Sequence, residues 1–158
     1  MNVLGHVPRP APAVLLLLLA LAACTADGAR REQERARSLD AALTHYGRLV
    51  RAMASDSIAG LYTADGELVT EGQPTITGRD AIRAFLHRFD DYRVLAHTLV
   101  VDSARIAGDS GIQHGRYAQR VRLPAGDTVE VSGYFTAEWV PGPDGEWRIR
   151  RMGTSPIR

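Results

Sequence analysis

The stretch Val129–Trp139, VEVSGYFTAEW, alternates between two kinds of residue. An apolar side chain or a glycine stands at every odd position, and most even positions carry a polar side chain. Because successive side chains of a β-strand point to opposite faces, this alternation predicts a long strand with one face turned away from water. An antiparallel sheet with one apolar face needs other elements of the chain to cover that face.

The residues around this stretch extend the strand into a sheet. From Tyr92 onward, segments with period-two patterning are separated by turns at 108–110, 124–127 and 141–145, all rich in glycine, proline or aspartate. Such spacing predicts four strands joined in sequence as an antiparallel meander.

Helices are predicted upstream of the meander. From Glu32 to Met53 the apolar residues recur at steps of three and four, which is typical of one face of an amphipathic helix. Ser55 or Asp56 is expected to cap a short second helix, and the turn Ala64–Gly66 is expected to end it.

A third helix is predicted after a short strand at Glu67–Thr70. Thr77 is its expected N-cap residue, with acidic Asp80 three positions later. The side chains expected on its buried face are Ala81, Ile82, Phe85, Leu86 and Phe89. The sequence therefore predicts an α+β fold, with three N-terminal helices packed on one side of a curved antiparallel sheet of four to six strands.

Composition and charge exclude several function classes. A length of 158 residues is typical of one domain. The chain has 19 arginines, no lysine and 18 acidic residues, so its net charge is close to zero. A nearly neutral chain with interspersed charges gives no electrostatic footprint for nucleic acid. Neither closely spaced metal ligands nor a glycine-rich phosphate loop is present, so we predict no nucleic acid partner, no metal and no cofactor.

The N-terminus has the layout of an export signal. The apolar run Val14–Ala23 is too short for a comfortable membrane span, and Leu21–Cys24, LAAC, resembles the lipobox of bacterial lipoproteins. This resemblance implies cleavage before Cys24 and attachment of a diacylglycerol to its thiol. We accordingly expect a signal peptide at 1–23, a lipidated cysteine with a polar tether at 24–34, and one domain at 35–158.

The same resemblance implies a location. The chain is expected to be exported and anchored by lipid in the cell envelope, on the outer membrane or on a membrane that faces the periplasm. In bacterial lipoproteins an aspartate directly after the lipidated cysteine is associated with retention in the inner membrane. This chain has Thr25 at that position, which favours the outer membrane.

The segment Leu61–Leu86 resembles the N-terminal part of nuclear transport factor 2-like domains, in the branch that contains ketosteroid isomerases and SnoaL-like polyketide cyclases. The resemblance covers about Ser38 to Thr154 and includes a tryptophan strand after the turn at Gly145. It rests on these residues: Tyr62, Asp65, Gly78, Asp80, Ala81, Ile82 and Phe85. It implies a cone-shaped apolar pocket between the sheet and the helices.

Within that resemblance the catalytic positions of the isomerases are only partly kept. Tyr46 falls where those enzymes have a donor tyrosine, and it also suits a core position of the first helix. Thr70 stands in place of the catalytic aspartate, and Phe135 falls near the second acidic donor. An isomerase-like enzyme would therefore need Glu71 or a histidine as its base.

The histidines differ in their surroundings. His97 shares a strand face with Leu99 and Val101, so it would line the pocket if that face is inward. His114 shares its face with several arginines and is expected to face solvent or to form part of an oligomer surface. His45 and His87 lie on predicted helices with no partner motif and are interpreted as surface residues. Arg148, Arg150 and Arg151 are interpreted as a solvated edge.

Three hypotheses for function follow. The first is a non-enzymatic domain that binds a small apolar or amphipathic ligand, with this pocket wall: Tyr46, Thr70, His97, Tyr117, Phe135 and Trp139. The second is a SnoaL-like or isomerase-like enzyme acting on a small carbonyl compound, with His97 or Glu71 as base and Tyr46 as donor. In the third, side chains fill the interior and the protein forms a homodimer through its sheet.

Overall fold

The computed structural model describes the backbone of residues 12–157 and the side chains of residues 27–157. The first eleven residues of the predicted signal peptide and the side chain of Cys24 lie outside the described residues. The helices are α1 (Pro12–Arg51), α2 (Ser55–Gly60) and α3 (Arg79–His87). The strands are β1 (Tyr62–Thr70), β2 (Ile76–Thr77), β3 (Arg93–Ala107), β4 (Ser110–Arg122), β5 (Thr128–Pro141) and β6 (Trp147–Pro156).

The chain divides into two compact units, Met1–Ala36 and Arg37–Arg158. In the first unit the backbone is helical from Pro12, so α1 begins well before the predicted Glu32 and includes the segment predicted as a tether. Exposed ion pairs join Arg30 to Asp27 at 3.6 Å and to Glu34 at 3.9 Å. Within the described residues, no helix combines the length and the apolar character needed to cross a membrane.

The second unit contains a six-stranded sheet with the order β2-β1-β6-β5-β4-β3. The predicted antiparallel meander is confirmed in β3 to β6. The prediction of a wholly antiparallel sheet is wrong, because β1 pairs with β6 in parallel. The Ile149 amide donates to the Leu61 carbonyl at 2.8 Å at the start of that pairing.

This parallel pairing also corrects the interpretation of the last strand. Since β6 lies between β1 and β5, its arginines are not on a sheet edge, although Arg150 and Arg151 are exposed to solvent as predicted. They form ion pairs instead: Arg150 with Glu138 at 2.7 Å, Arg151 with Glu67 at 2.5 Å, and Arg148 with Asp144.

The predicted turn at Ala64–Gly66 is wrong as well, because these residues belong to β1. A register shift between Tyr62 and Glu67 bends the strand there, and the Gly66 carbonyl accepts from the Gly78 amide at 2.8 Å. A Cβ at Gly66 would lie 3.0 Å from the Tyr62 Cβ. Glycine is needed here for close packing rather than for a reversal of the chain.

Neither predicted helix cap is present. Thr77 pairs with Glu67 as part of β2, and Gly78 with φ 94° precedes α3. Ala54 precedes α2 without a side-chain cap, and the Ser55 hydroxyl donates to Asp90 at 3.1 Å.

The amphipathic pattern of α3 is only partly confirmed. Ile82 is fully buried, and Phe85, Leu86 and Phe89 are partly buried. Ala81 is exposed, contrary to prediction, so the buried face of the helix is narrower than predicted and is centred on Ile82.

The alternation in β5 is confirmed near the helices and lost away from them. Phe135, Ala137 and Trp139 are buried, whereas Val131 on the same face is 42% exposed. The helices therefore cover one end of the inner sheet face. The core at that end comprises Leu39, Leu43, Ile58, Tyr62, Ile82, Phe135, Ala137, Trp139, Ile149 and Met152.

Candidate functional site

Two glycines allow α1 to lie close to the inner face of the sheet. A Cβ at Gly111 of β4 would lie 2.9 Å from Leu39, and a Cβ at Gly47 of α1 would lie 3.2 Å from Leu99 Cδ1. The helix therefore lies over β4 at its residue Leu39 and over β3 at its residue Gly47. Because both contacts are closer than an alanine would comfortably allow, the glycines set the separation of helix and sheet.

A groove of about 460 Å³ runs along this helix beside β3. It is lined by Asp40, Leu43, Thr44, Gly47, Arg48 and Arg51 of α1 and by His97, Leu99, Val101 and Ala104 of β3. Its volume lies within the range of small-molecule sites, roughly 300–1,000 Å³. We call it the α1–β3 groove.

His97 has one satisfied and one unsatisfied ring nitrogen. Its Nδ1 lies 3.0 Å from the amide nitrogen of Gln119 on β4. An amide nitrogen can only donate, so Nδ1 accepts and Nε2 carries the proton of the neutral ring. Nε2 is buried and has no hydrogen-bond partner among the described residues. Burial lowers the pKa of His97 below 6.5, which keeps the ring neutral at pH 7.

Gly47 of α1 lies close to this nitrogen. A Cβ placed there would lie 3.8 Å from Nε2 and 3.6 Å from Cδ2 of the His97 ring. The glycine therefore keeps the helix surface next to the unsatisfied N–H free of a side chain.

The charged residues of the α1–β3 groove are separated along α1. Asp40 lies at one end, where its Oδ1 accepts from Gln113 Nε2 at 2.9 Å. Arg51 lies about 16 Å away at the other end, given the 1.5 Å rise per helical residue. Leu43 and Leu99 lie between these ends, so the groove has an acidic end, an apolar middle and a basic end.

Other polar groups of the interior do not line the α1–β3 groove. The hydroxyl of Tyr46 is hydrogen-bonded to that of Tyr62, and burial raises the pKa of Tyr46 to about 12. Burial and the neighbouring phenol raise the pKa of Tyr62 as well. Both phenols are therefore protonated at neutral pH and bonded to each other. Fully buried Trp139 has an indole N–H without a partner among the described residues.

The structure does not gather the six predicted wall residues into one pocket. His97 lines the α1–β3 groove, and Phe135 and Trp139 belong to the packed core. Tyr117 is half-buried and packs over Gly133, whereas Thr70 is exposed at the end of β1.

The candidate catalytic residues are also dispersed. Tyr46 does not line the α1–β3 groove that His97 lines. Glu71 is exposed in the loop after β1, where its amide donates to the Thr154 carbonyl at 2.9 Å.

Sequence reasoning missed Gln113, Gln119 and Gly47. Both glutamines share the inward face of β4 with Tyr117, at even spacing from it. A polar residue on an apolar strand face is a detectable signal. The hydrogen-bond partner of such a residue cannot be predicted from the sequence. It depends on the register between β3 and β4 and on where α1 crosses the sheet.

A second polar cluster joins α2 to the end of α3. His87 is exposed as predicted, but it has partners: its Nδ1 lies 2.8 Å from Asp90 Oδ2 and its Nε2 lies 3.3 Å from Asp56 Oδ1. The hydrogen bond that the His87 ring donates to the Asp90 carboxylate is the main cause that raises the pKa of His87. Among the residues with described side chains, no three histidine, cysteine or acidic side chains are placed to hold a metal ion.

His45 and His114 lie at the surface, as predicted. His114 is on the outer face of β4, where its Nδ1 lies 2.9 Å from the Thr136 hydroxyl.

Comparison with known proteins identifies the fold. Residues 31–153 match the model of the SnoaL-like domain family. No curated protein sequence matches the chain significantly.

Several solved structures are similar at low identity. An NTF2-like protein with a cystatin-like fold from Novosphingobium aromaticivorans is 22% identical with a TM-score of 0.69, covering 83% of this chain and 87% of its own. A ketosteroid isomerase-like protein from Erwinia carotovora atroseptica is 18% identical with a TM-score of 0.67. The match covers 75% of this chain and 93% of that protein. A protein of unknown function from Mycobacterium tuberculosis is 20% identical with a TM-score of 0.71. The match covers 82% of this chain and 76% of that protein. These likenesses confirm the α+β, nuclear transport factor 2-like cone fold, in which the sheet is mixed and not closed.

Proposed function

Since the chain belongs to the SnoaL-like domain family, whose fold carries many unrelated functions, we propose a function from its own groove. The domain binds a small amphipathic molecule in the α1–β3 groove. The observation that carries this proposal is the buried, unpartnered Nε2–H of His97 beside the apolar surface of Leu43 and Leu99.

Physical chemistry supports a ligand at this position. A buried donor without an acceptor costs about 1–3 kcal/mol, which a ligand oxygen would recover. Apolar surface covered by the ligand contributes roughly 25 cal/mol per Å². A molecule with both an acceptor and an apolar body satisfies both features of the groove.

The experiment is a calorimetric titration of the chain with decanoate, a ten-carbon amphiphile. His97→Leu should weaken binding at least about tenfold, which corresponds to the roughly 1.4 kcal/mol of one hydrogen bond. Gly47→Ala should weaken binding too, because the added methyl stands 3.8 Å from Nε2. His114→Leu on the outer face is the matched control and should leave affinity unchanged. Equal affinity in all four proteins would refute the proposal.

The enzyme hypothesis has less support from the geometry. It requires a carboxylate or imidazole in the cavity that Tyr46 enters. The Tyr46 hydroxyl is instead bonded to Tyr62, and His97 lies in the α1–β3 groove. A base and a donor that face one substrate are therefore not brought together by these residues.

We further propose that the domain is held in the cell envelope by a lipid on Cys24, as the lipobox-like LAAC segment suggests. Growth with an alkyne-labelled fatty acid, followed by capture of labelled protein, tests this. We expect label on the chain and none on Cys24→Ser. Equal labelling of both would reject the anchor.

A homodimer through the sheet is the second candidate role, and one observation favours it. Tyr134 and Val100 flank Arg116 on the outer face and are 51% and 44% exposed. Large exposed apolar side chains in register across neighbouring strands are typical of an interaction surface.

A further inference from the structure

The α1–β3 groove carries charge and hydrogen-bonding groups that discriminate between ligands. We infer that it takes its ligand in one orientation, with a carboxylate head at His97 and Arg51 and the apolar body extending toward Asp40. This inference rests on the proposed function and names its ligand class, a monocarboxylate amphiphile.

Gln119 restricts the chemistry of the head group. It donates to Nδ1 of His97, so the neutral ring presents only an N–H at Nε2. A ligand group at Nε2 must accept a hydrogen bond. Carboxylate and carbonyl oxygens meet this requirement, whereas an ammonium group does not. Gln119 is thus a positioning residue that acts through His97.

Arg51 makes an anionic acceptor preferable to a neutral one. It lies one helical turn beyond Gly47, the residue next to the His97 ring, and it lines the same groove. Its guanidinium has no ion-pair partner among the described residues, and a guanidinium matches the planar fork of a carboxylate. Arg48 also lines this end, where it lies 3.3 Å from the Nδ1 atom of His45.

Asp40 sets the direction of the ligand. Its carboxylate lines the opposite end of the groove and is held there by the buried amide of Gln113. An anionic head is repelled from Asp40 and attracted to Arg51, so charge alone favours one of the two orientations. The apolar side chains of Leu43, Leu99 and Val101 between the two ends suit an unbranched or compact hydrocarbon body.

The first test compares decanoate with decanol, which has the same chain and a neutral head. We expect decanoate to bind about tenfold more tightly at pH 7 and low salt. Arg51→Gln should remove most of this difference by weakening the binding of decanoate. Arg105→Gln, an exposed arginine on the outward face of the same strand as His97, is the control and should retain the difference.

The outcomes separate the two proposals. Equal affinity for decanoate and decanol, both weakened by His97→Leu, would overturn the carboxylate inference and leave ligand binding in the groove intact. Affinities unaffected by His97→Leu would overturn both.

The second test measures the tautomer without any ligand. Nitrogen-15 spectra of the imidazole rings should show the proton of His97 on Nε2, and Gln119→Leu should produce a mixture of tautomers. The His114 ring, measured in the unmodified chain and in Gln119→Leu, serves as the internal reference. A proton found on Nδ1 in the unmodified chain would overturn the role of Gln119.

Discussion

At the scale of single residues, the interior holds polar atoms that are incompletely satisfied. Gln113 is fully buried, its amide nitrogen bonds Asp40, and its amide oxygen has no partner among the described residues. An unpaired buried acceptor costs free energy that an apolar side chain of similar size would not. Gln113 therefore contributes to the position of Asp40 at the expense of stability.

We predict opposite effects for two substitutions at this position. Gln113→Leu should leave the free energy of unfolding unchanged or raise it by about 1 kcal/mol, because exposed Asp40 is then solvated by water. Gln113→Glu should lower it by about 3 kcal/mol or more, since it places a buried carboxylate beside Asp40. Urea denaturation monitored by tryptophan fluorescence measures both, and a stabilising glutamate would contradict this interpretation.

His97 gives the fold a dependence on acid. Its folded pKa is lowered by burial, so the unfolded chain binds the proton more readily. The stability from the neutral ring is complete above pH 6.5 and is lost as the pH falls below that value and through the folded pKa. His97→Gln should flatten the decline in unfolding free energy between about pH 7 and pH 5. His114→Gln should leave the decline in place, and a decline that survives in His97→Gln would assign it to other groups.

The buried phenol pair can be tested in the same way. Tyr46→Phe removes its hydrogen bond with Tyr62 and should lower the free energy of unfolding by about 1 kcal/mol. The double variant with Tyr62→Phe should cost less than the sum of the two single changes, because the second change removes no further bond. Strict additivity would show that the bond contributes nothing.

At the scale of elements, α2 and α3 are joined by polar contacts around His87. Its ring bonds Asp90 beyond the end of α3 and Asp56 of α2, and Arg83 reaches Asp56 at 3.2 Å. The hydrogen bond from His87 lowers the pKa of Asp90. These exposed groups attach the short helix α2, which is too short to be stable alone.

This cluster predicts a loss of stability on the alkaline side. The folded pKa of His87 is raised, so its contribution is complete below pH 6.5 and is lost as the pH rises through the folded value. Amide hydrogen exchange in α2 should therefore accelerate from about pH 6 to pH 8 beyond the intrinsic rate. His87→Gln should remove this excess and His45→Gln should not. An identical excess in His87→Gln would contradict the role of the ring.

The elements also show how far the sequence could be interpreted. The alternation in β5 and the periodic apolar residues of α1 depend on local patterning, so both elements and the meander could be predicted. The parallel pairing of β1 with β6 joins segments about 85 residues apart, as Thr70 and Thr154 do. No local pattern specifies such a contact, and the error at Ala64–Gly66 followed from treating an Asp-Gly pair as a turn when tertiary pairing decides its conformation.

The candidate site was harder to predict than the fold. The apolar neighbours Leu99 and Val101 made His97 a candidate for the inward face, but the sequence left the direction of that face open. The sequence did not reveal that α1 would separate His97 from Tyr46. That separation depends on the crossing position of the helix, which Gly47 and Gly111 set by close contact.

At the scale of the whole molecule, the outer sheet face predicts self-association. Analytical ultracentrifugation of the chain should detect a dimer, and Tyr134→Arg should shift it to monomer by placing a charge on the exposed row that includes Val100 and Arg116. Arg122→Ala, farther along β4, is the control. A monomer at all concentrations would exclude the dimer.

The central claim is that the α1–β3 groove is the ligand site of this domain. The most direct test is a titration of the isotope-labelled chain with decanoate, followed by amide and imidazole chemical shifts. We predict that the largest changes occur at Gly47, the His97 ring and Leu99, on either side of the groove. Largest changes at Val131, on the uncovered part of the inner sheet face, or no changes at all, would contradict the claim.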